Sequence, residues 1–377
     1  MPALKRIEER PTWVRVVELI AFLLAFFVAV KLMGSSIKML GKEQADALWA
    51  GIRNPFAGLC VGILSTVLVQ SSSVTTAAIV GLVGEGQISV TLAVPMVMGA
   101  NIGTSITNTL VALGHMTRSQ EFRRAFAGAT MHDFFNLIAV VVFLPLELLT
   151  GFLSNAAEWL TKPFTALAGG EKFSSPLAEA FKSITQGIQG FVTDTLGATG
   201  FWAAVILIVV ALVVLFFALM RIARIMRSLM AARFERALNN VLQKSGLIAI
   251  VIGMVITASV QSSSITTSLL VPMFGAGILS LEAGFPVTLG ANLGTTVTAL
   301  IASLATSHPA GLTIALVHML FNLAGILLIY PIPRIRAIPL RLARGLANMA
   351  VERRYWVIVY ILGVFVVLPL VGILILK

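Results

Sequence analysis

The hydrophobic positions of this chain fall into long runs with short polar segments between them. Seven runs reach the roughly 20 residues that a helix needs to cross a bilayer. They lie at about 14–36, 88–113, 124–149, 200–220, 284–306, 309–330 and 355–376. Because 58% of the 377 residues are hydrophobic and only 11% are charged, the chain has too much apolar surface for a soluble globule. The pattern predicts an all-α polytopic membrane protein.

Two further apolar runs, at about 54–86 and 245–280, are too long for a single crossing. Each is interrupted near its middle by the polar sequence Gln-Ser-Ser-Ser, which begins at Gln70 and at Gln261. We predict that each run folds as a re-entrant helical hairpin. Such a hairpin is tolerated at membrane depth only where it is buried in protein or lines a water-filled cavity.

The basic residues predict the orientation of the spans. The chain has a net charge of +11, and 19 of its 27 Lys and Arg residues lie in segments 1–15, 114–124, 221–246 and 331–354. All four segments fall on one side if the chain starts there, so that side and the N-terminus are expected to be cytoplasmic. Because the charge is spread over short segments rather than one soluble domain, nucleic acid is not an expected partner. The expected partner is the lipid bilayer, with 221–236 as a basic helical anchor at its inner surface.

Two motifs occur twice at one spacing. Residues 70–76 (QSSSVTT) recur as 261–267 (QSSSITT), and residues 99–104 (GANIGT) recur as 290–295 (GANLGT), both 191 positions later. A third set, His132 with Phe135 and Asn136, recurs 186 positions later as His318 with Phe321 and Asn322. Repetition of this kind predicts two similar structural units.

The predicted topology makes these units inverted repeats. Each contains one span, a hairpin and two more spans, and an odd number of crossings separates the hairpins. The first hairpin is then expected to enter from outside and the second from the cytoplasm. The predicted organisation is a first repeat (1–150), an outward-facing linker (151–199), a second repeat (200–330), and a basic cytoplasmic segment with an extra C-terminal transmembrane helix (331–377). This plan is typical of secondary transporters with a site at mid-membrane.

The Gln-Ser-Ser-Ser motifs have the chemistry of an anion site. If each marks a hairpin turn, the next half-helix begins there with free N–H groups and the positive end of its dipole. Hydroxyl and amide groups add donors, so two such tips could surround a tetrahedral anion without a lysine. The predicted binding residues are Gln70, Ser71, Ser72, Ser73, Gln261, Ser262, Ser263 and Ser264.

The Gly-Ala-Asn-x-Gly-Thr stretches suggest a cation site. Their glycines would allow the helix to unwind, and carbonyl, Asn and Thr oxygens suit sodium. The predicted ligands here are Asn101, Thr104, Asn292 and Thr295. Asp133 is added because an ionisable group within a span is a functional hypothesis by default; its counterpart in the second repeat is Met319.

Simpler interpretations exist for several of these residues. Gly-x-x-x-Gly spacing usually reflects close helix packing, and a serine cluster in a membrane helix usually serves packing or backbone hydrogen bonding. Duplication at a fixed offset favours the functional interpretation. His132 and His318 are expected to be satisfied structural residues, and Glu85 is expected to be exposed at the outer mouth of the first hairpin. An intramembrane serine hydrolase using Ser71–Ser73 with His132 is the enzyme alternative, and it leaves the second serine cluster unexplained.

Taken together, the duplicated Gln-Ser-Ser-Ser, GANIGTSITNT at 99–109, EFRRAFAGA at 121–129 and His132–Asn136 (HDFFN) resemble the type II sodium-dependent phosphate cotransporters. The likeness covers roughly 55–150 and 245–325. It implies sodium-coupled import of inorganic phosphate, with both serine tips around the substrate and no cofactor. Another small oxyanion, such as sulfate or arsenate, remains open as the substrate, and the oligomeric state is not indicated.

The resemblance also implies details of coupling. Ala127, Ala129 and Asp133 match the pattern of electrogenic members, so Asp133 is expected to help hold one sodium ion. Thr109, Asn136 and Thr295 match positions assigned to another. The chain departs from the family at His115, Arg118 and Ala291, and an arginine cannot ligate sodium. Since 151–199 contains no cysteine, the disulfide-bearing outer loop of animal members is missing, and a bacterial inner-membrane protein is expected.

Overall fold

The computed structural model describes residues 10–40, 54–167, 176–241 and 246–376. Parts of the predicted basic segments (1–9 and 242–245) and of the linker (168–175) lie outside the described residues. The helices are α1 (Thr12–Lys38), α2 (Pro55–Val69), α3 (Ser72–Gly84), α4 (Val90–Gly103), α5 (Ile106–Leu113), α6 (Ser119–Thr150), α7 (Phe152–Leu167), α8 (Pro176–Gly190), α9 (Gly200–Val241), α10 (Gly246–Val260), α11 (Ser263–Ala276), α12 (Leu281–Ser303), α13 (Ala310–Ile329), α14 (Pro333–Glu352), α15 (Tyr355–Leu362) and α16 (Leu368–Leu376).

Seven stretches of the described helices are long and apolar enough to cross a membrane. They are Thr12–Lys38, Val90–Leu113, Ser119–Thr150, Gly200–Leu229, Leu281–Ser303, Ala310–Ile329 and Tyr355–Leu376. The seven predicted spans are therefore confirmed as helices long and apolar enough to cross a membrane. Their ends move by at most five residues, except that the fourth continues nine residues further, to Leu229. The predicted anchor at 221–236 is not a separate element, because α9 continues through it without a break.

The two long apolar runs fold as pairs of short helices. The first pair is α2 and α3, and the second is α10 and α11, with 13 to 15 residues in each helix. At 1.5 Å per residue, each helix is about 20 Å long and too short to cross the roughly 30 Å hydrocarbon layer alone. The chain reverses between the two helices of each pair at Gln70-Ser71 and at Gln261-Ser262.

The two halves of the chain pack crosswise. Their first long helices, α1 and α9, lie against each other. Helix α3 of the first half contacts α12 and α13 of the second, while α11 of the second half contacts α5 and α6 of the first. Each serine-bearing helix therefore packs against helices of both halves, which explains why almost all of α3 is buried although it is a short helix.

Equivalent residues start and pack the helices that carry the Gly-Ala-Asn-x-Gly-Thr motifs. Ser89 and Ser280 cap α4 and α12 by accepting the N–H groups of Leu92 (3.3 Å) and Ala283 (3.2 Å). A Cβ added at Gly99 would lie 2.0 Å from the Leu59 carbonyl oxygen, and one at Gly290 would lie 1.9 Å from that of Ile250. The motif glycines therefore allow close helix contact, which is the simpler of the two interpretations given above.

The expected unwinding of these motifs occurs in the first half alone. Helix α4 ends at Gly103 and α5 begins at Ile106, so the backbone is interrupted at Thr104 and Ser105. In the second half α12 continues without interruption from Leu281 to Ser303. The prediction of an unwound second motif was wrong, because the helix retains its hydrogen bonds past Thr295.

Candidate functional site: two serine turns and a polar seam

The turns between the short helices share one backbone geometry. Gln70 and Gln261 have φ of 56° and 58°, and they are the non-glycine residues with positive φ in the described part of the chain. The next residues, Ser71 and Ser262, both have φ −155° and ψ 109°. Each serine caps the helix that follows. A left-handed conformation at a non-glycine residue persists only where the surroundings determine it, and such residues cluster at functional sites.

Several hydrogen-bond donors at these turns have no protein partner. Helices α3 and α11 each start with two serines whose N–H groups have no intrahelical acceptor, and none of these N–H groups donates to another described residue. The hydroxyl groups of Ser72, Ser263 and Ser264 also bond to no described residue. Ser72 and Ser263 are nevertheless only 4% and 3% exposed. The turns thus present inward-facing N–H and hydroxyl groups that could donate hydrogen bonds to an anion.

The side chains of Gln70 and Gln261 each form hydrogen bonds with residues of their own half of the chain. Gln70 donates its side-chain amide to the Val67 carbonyl (2.6 Å) and accepts from the Thr107 hydroxyl (3.3 Å). In the second half, Gln261 donates to Ala258 (2.5 Å) and accepts from Thr298 (2.9 Å). One of the two amide hydrogens of each glutamine is used in this way, and the other remains for a ligand.

The two turns meet in the interior. The Ser73 hydroxyl donates to the Gln261 main-chain carbonyl across 3.3 Å. The structure therefore brings together the serine clusters that the sequence places 191 residues apart. Because α3 and α11 both begin at this contact, the N-terminal ends of their dipoles face the same region, which favours negative charge.

Buried asparagines and histidines form a polar seam that joins the two halves. Asn101 donates to Asn322 (3.1 Å), and the equivalent Asn292 donates to Asn136 (2.8 Å). The His318 Nε2 lies 3.0 Å from the Asn101 Oδ1, and the equivalent His132 Nε2 lies 3.4 Å from the Asn136 Nδ2. All four asparagines are at most 1% exposed. The amides predicted as sodium ligands therefore also hold the two halves together.

The histidines of this seam are only partly satisfied. His132 and His318 each bond through Nε2, while the Nδ1 of each is buried without a partner among the described residues. The expectation that both are fully satisfied structural residues was wrong for this second nitrogen. No hydrogen bond joins His132 to Ser71, Ser72 or Ser73 in the described chain, so the pair that a serine hydrolase needs is not formed.

The predicted threonine ligands lie along the same helices. Thr104, Thr109 and Thr295 are buried, and each hydroxyl donates to the carbonyl four residues earlier, at 3.0, 3.2 and 3.1 Å. A hydroxyl that donates to the backbone still has lone pairs for a cation. These threonines remain predicted ligands.

Asp133 is buried within α6, with 5% of its surface exposed. Its Oδ2 accepts a hydrogen bond from the Tyr360 hydroxyl, and its Oδ1 has no partner among the described residues. His115 and Arg118, which depart from the family pattern, both face Glu121, at 3.6 and 2.8 Å.

Glu85 is not exposed, contrary to expectation. It is 4% exposed and accepts from the Lys31 ammonium (2.8 Å), the Lys38 ammonium (3.2 Å) and the Ser307 hydroxyl (2.9 Å). The prediction failed because the sequence does not indicate that two lysines of α1 lie next to the C-terminal end of α3.

Two residues of this region were missed by the predicted site. Asn322 could have been found, since it is the repeat counterpart of Asn136. Tyr360 could not, because it lies in the C-terminal segment outside both repeats and its contact with Asp133 spans 227 residues.

A bundle of membrane-spanning helices with two equivalent inward-facing serine turns defines a polytopic membrane protein of the transporter class. The Na+/Pi-cotransporter family model matches residues 25–154 and 202–332, and the chain belongs to this family. The two matched segments overlap most of the two predicted repeats, 1–150 and 200–330. The family comprises transporters rather than enzymes, which removes the hydrolase alternative.

Curated relatives agree with this assignment. The chain is 34% identical to the sodium-dependent phosphate transport protein 2A of Rattus norvegicus over 93% of its own length and 66% of the relative's. It is 34% identical to protein 2B of Homo sapiens over 94% and 64% of the two chains. It is 33% identical to protein 2A of Ovis aries over 95% and 67%. The chain thus spans about two thirds of the length of these relatives. No solved structure matches it.

Proposed function

We propose that this protein is a sodium-coupled symporter that imports inorganic phosphate. The observation that carries the proposal is the set of unpartnered donors at the two facing turns: four N–H groups and the hydroxyls of Ser72, Ser263 and Ser264. A phosphate ion offers four oxygens to such donors, and a protonated phosphate oxygen can in turn donate to a serine. The relatives are named for sodium-dependent phosphate transport, which supports the same substrate.

The proposed mechanism is alternating access between two inverted repeats. The matched turns, the matched caps and the reciprocal Asn101–Asn322 and Asn292–Asn136 contacts support a two-fold relation between the halves. In this arrangement the first helix pair enters from outside and the second from the cytoplasm, and phosphate binds between them. The N-terminus is cytoplasmic because the basic segments lie on that side, and a bacterial inner membrane is the proposed location.

Sodium supplies the driving force in this proposal. Importing a doubly charged phosphate alone is opposed by about 2.3 kcal/mol per charge per 100 mV. Three sodium ions per phosphate reverse that sign, whereas two make the cycle neutral. Asp133 is the proposed ligand of one ion, and Asn101, Thr104, Thr109, Asn136, Asn292 and Thr295 are proposed for the others.

The first experiment is uptake of radiolabelled phosphate into proteoliposomes with an inward sodium gradient. Wild type is compared in sodium and in potassium, and then with the double variant Ser72→Ala, Ser263→Ala. We expect sodium-dependent uptake in wild type and at least a hundredfold loss in the double variant, because each hydroxyl bond to a charged group contributes roughly 1.5–3 kcal/mol.

The matched control is Ser259→Ala, one turn before the second serine cluster. Its hydroxyl donates to the Val255 carbonyl within the same helix, at 2.7 Å. Uptake should stay at the wild-type rate in this variant. Folded wild-type protein without phosphate uptake in either salt would contradict the proposal. Competition by sulfate but not by arsenate would indicate a different oxyanion.

A further inference from the structure

Tyr360 connects the C-terminal segment to the interior of the first repeat. It lies in α15, outside both segments that the family model matches. Its hydroxyl donates to the Asp133 Oδ2. Its ring makes edge-on contacts with Phe126, at 6.3 Å between centroids, and with Phe365, at 5.8 Å. These two rings fix the position of the hydroxyl.

The backbone after Tyr360 has an unusual form. Residues Gly363–Val367 make a π-helical turn between α15 and α16, and Phe365 within it is fully buried. Short π-helical turns inside α-helices occur frequently at functional sites, because the extra residue redirects the side chains around it. Here the turn brings Phe365 against the ring of Tyr360.

The Asp133 carboxylate lacks a positive partner. None of the ion pairs within the described residues includes it. A tyrosine hydroxyl is neutral, so it orients the carboxylate without cancelling its charge. A buried carboxylate with no counter-charge is strongly unfavourable in a low dielectric. The free Oδ1 therefore marks a place where a cation would stabilise the structure.

The helix break in the first half supplies a further oxygen. Ser105 lies in the interruption between α4 and α5, is fully buried, and has its side chain beside the Asp133 carboxylate. Its hydroxyl donates to the Ile102 carbonyl at 3.0 Å, which leaves oxygen lone pairs free. Carboxylate and hydroxyl oxygens are the hard ligands that a small alkali cation prefers.

We propose that Tyr360 completes a monovalent-cation site with Asp133 and Ser105, holding the carboxylate so that its Oδ1 faces the ion. Tyr360 acts as a positioning residue of the C-terminal helix. The identity of the ion as sodium rests on the proposed function, whereas the geometry of the site does not. The C-terminal helix, an addition to the two repeats, thereby takes part in cation binding.

Equilibrium binding of 22Na+ to the purified full-length protein, without phosphate, tests this site. We expect Tyr360→Phe, which removes one oxygen and keeps the ring, to weaken binding about tenfold, the factor for one hydrogen bond to a charged group. Tyr355→Phe is the matched control: it lies on the same helix, its side chain is exposed, and binding should be unchanged. In an Asp133→Gly background, Tyr360→Phe should have no further effect.

Three outcomes would overturn the inference. Binding could be unchanged in Tyr360→Phe, it could weaken equally in the Asp133→Gly background, or folded wild type could bind no sodium. Phosphate uptake is measured separately. If wild type binds sodium, Tyr360→Phe loses that binding, and phosphate uptake is absent, then this site is supported and only the proposed function is contradicted.

A second measurement removes the dependence on the folding of Tyr360→Phe. The chain has three tyrosines, so the double variant Tyr330→Phe, Tyr355→Phe leaves Tyr360 as the single one. With ring-labelled tyrosine, its NMR signal should shift when sodium replaces choline, and Asp133→Gly should abolish the shift. An unchanged signal would contradict the inference.

Discussion

The two halves of this protein agree at the serine turns and in the central seam of asparagines, and they differ at two acidic residues and at one helix break. Both have a left-handed glutamine, a capping serine and two unpartnered N–H groups at the start of the following helix, although the Ser73 hydroxyl is bonded and that of Ser264 is not. Both also contribute matching asparagines to the central seam. Asp133 and Glu85 occur in the first half only, where the second has Met319 and Ala276. The helix break at Ser105 is also confined to the first half.

This difference separates two tasks. A nearly symmetric ion such as phosphate can be bound by equivalent groups from both sides, and the matched turns meet that requirement. A sodium ion whose charge is balanced by a single carboxylate, in contrast, needs a site in only one of the two halves. We therefore expect substitutions at the turns to have similar effects in the two halves. Substitutions at Asp133 and Glu85 should have effects that no substitution at the corresponding positions of the second half reproduces.

The largest expected effect is the loss of voltage dependence in Asp133→Gly. Without the carboxylate one bound sodium ion loses its counter-charge, so the cycle should move one positive charge fewer and become electroneutral, with some uptake retained. Phosphate-induced current and uptake are measured on the same proteoliposomes. Met319→Ala, the equivalent position in the second half, should keep its current. An unchanged current in Asp133→Gly would refute the assignment of this acid.

The next effect concerns the buried ion pairs of Glu85. Glu85→Gln leaves the Lys31 ammonium, whose side chain is 11% exposed, without a counter-charge. We expect a loss of about 3–5 kcal/mol in the free energy of unfolding. Unfolding by SDS in mixed micelles measures it.

Glu282→Gln is the control for this experiment, because the Glu282–Arg344 pair is exposed, at 57% and 48%. Glu282→Gln should lower the free energy of unfolding by less than about 1 kcal/mol. Equal effects of the two substitutions would show that the Glu85 pairs are solvated rather than buried.

The smallest expected effect tests the equivalence of the halves directly. Gly99→Ala and Gly290→Ala each place a Cβ within 2.0 Å of a backbone oxygen that cannot move alone. Both should lower the free energy of unfolding by about 1–3 kcal/mol, and by similar amounts. Gly345→Ala meets no atom within 4 Å in α14 and should instead stabilise by about 0.5–1 kcal/mol. A large effect at only one motif glycine would break the proposed symmetry.

Much of the fold could be predicted from the chain because membrane spans are defined by local composition. The seven spans and the two interrupted runs follow from apolar length alone. The duplicated Gln-Ser-Ser-Ser marked the turns correctly, since a polar motif inside an apolar run has few alternatives. The burial of Glu85 could not be predicted, because its partners Lys31, Lys38 and Ser307 come from distant positions.

The sequence by itself determined the class of protein, the spans, the repeats and the family, since each depends on local composition or on motifs that can be compared along the chain. Only the tertiary structure decided which serine donors remain free, that the motif glycines serve packing, and that Asp133 is bonded by Tyr360. These depend on which helices lie side by side. Composition requires an apolar helix to be buried in a bilayer, but the crosswise packing of the two halves determines which helices lie next to it.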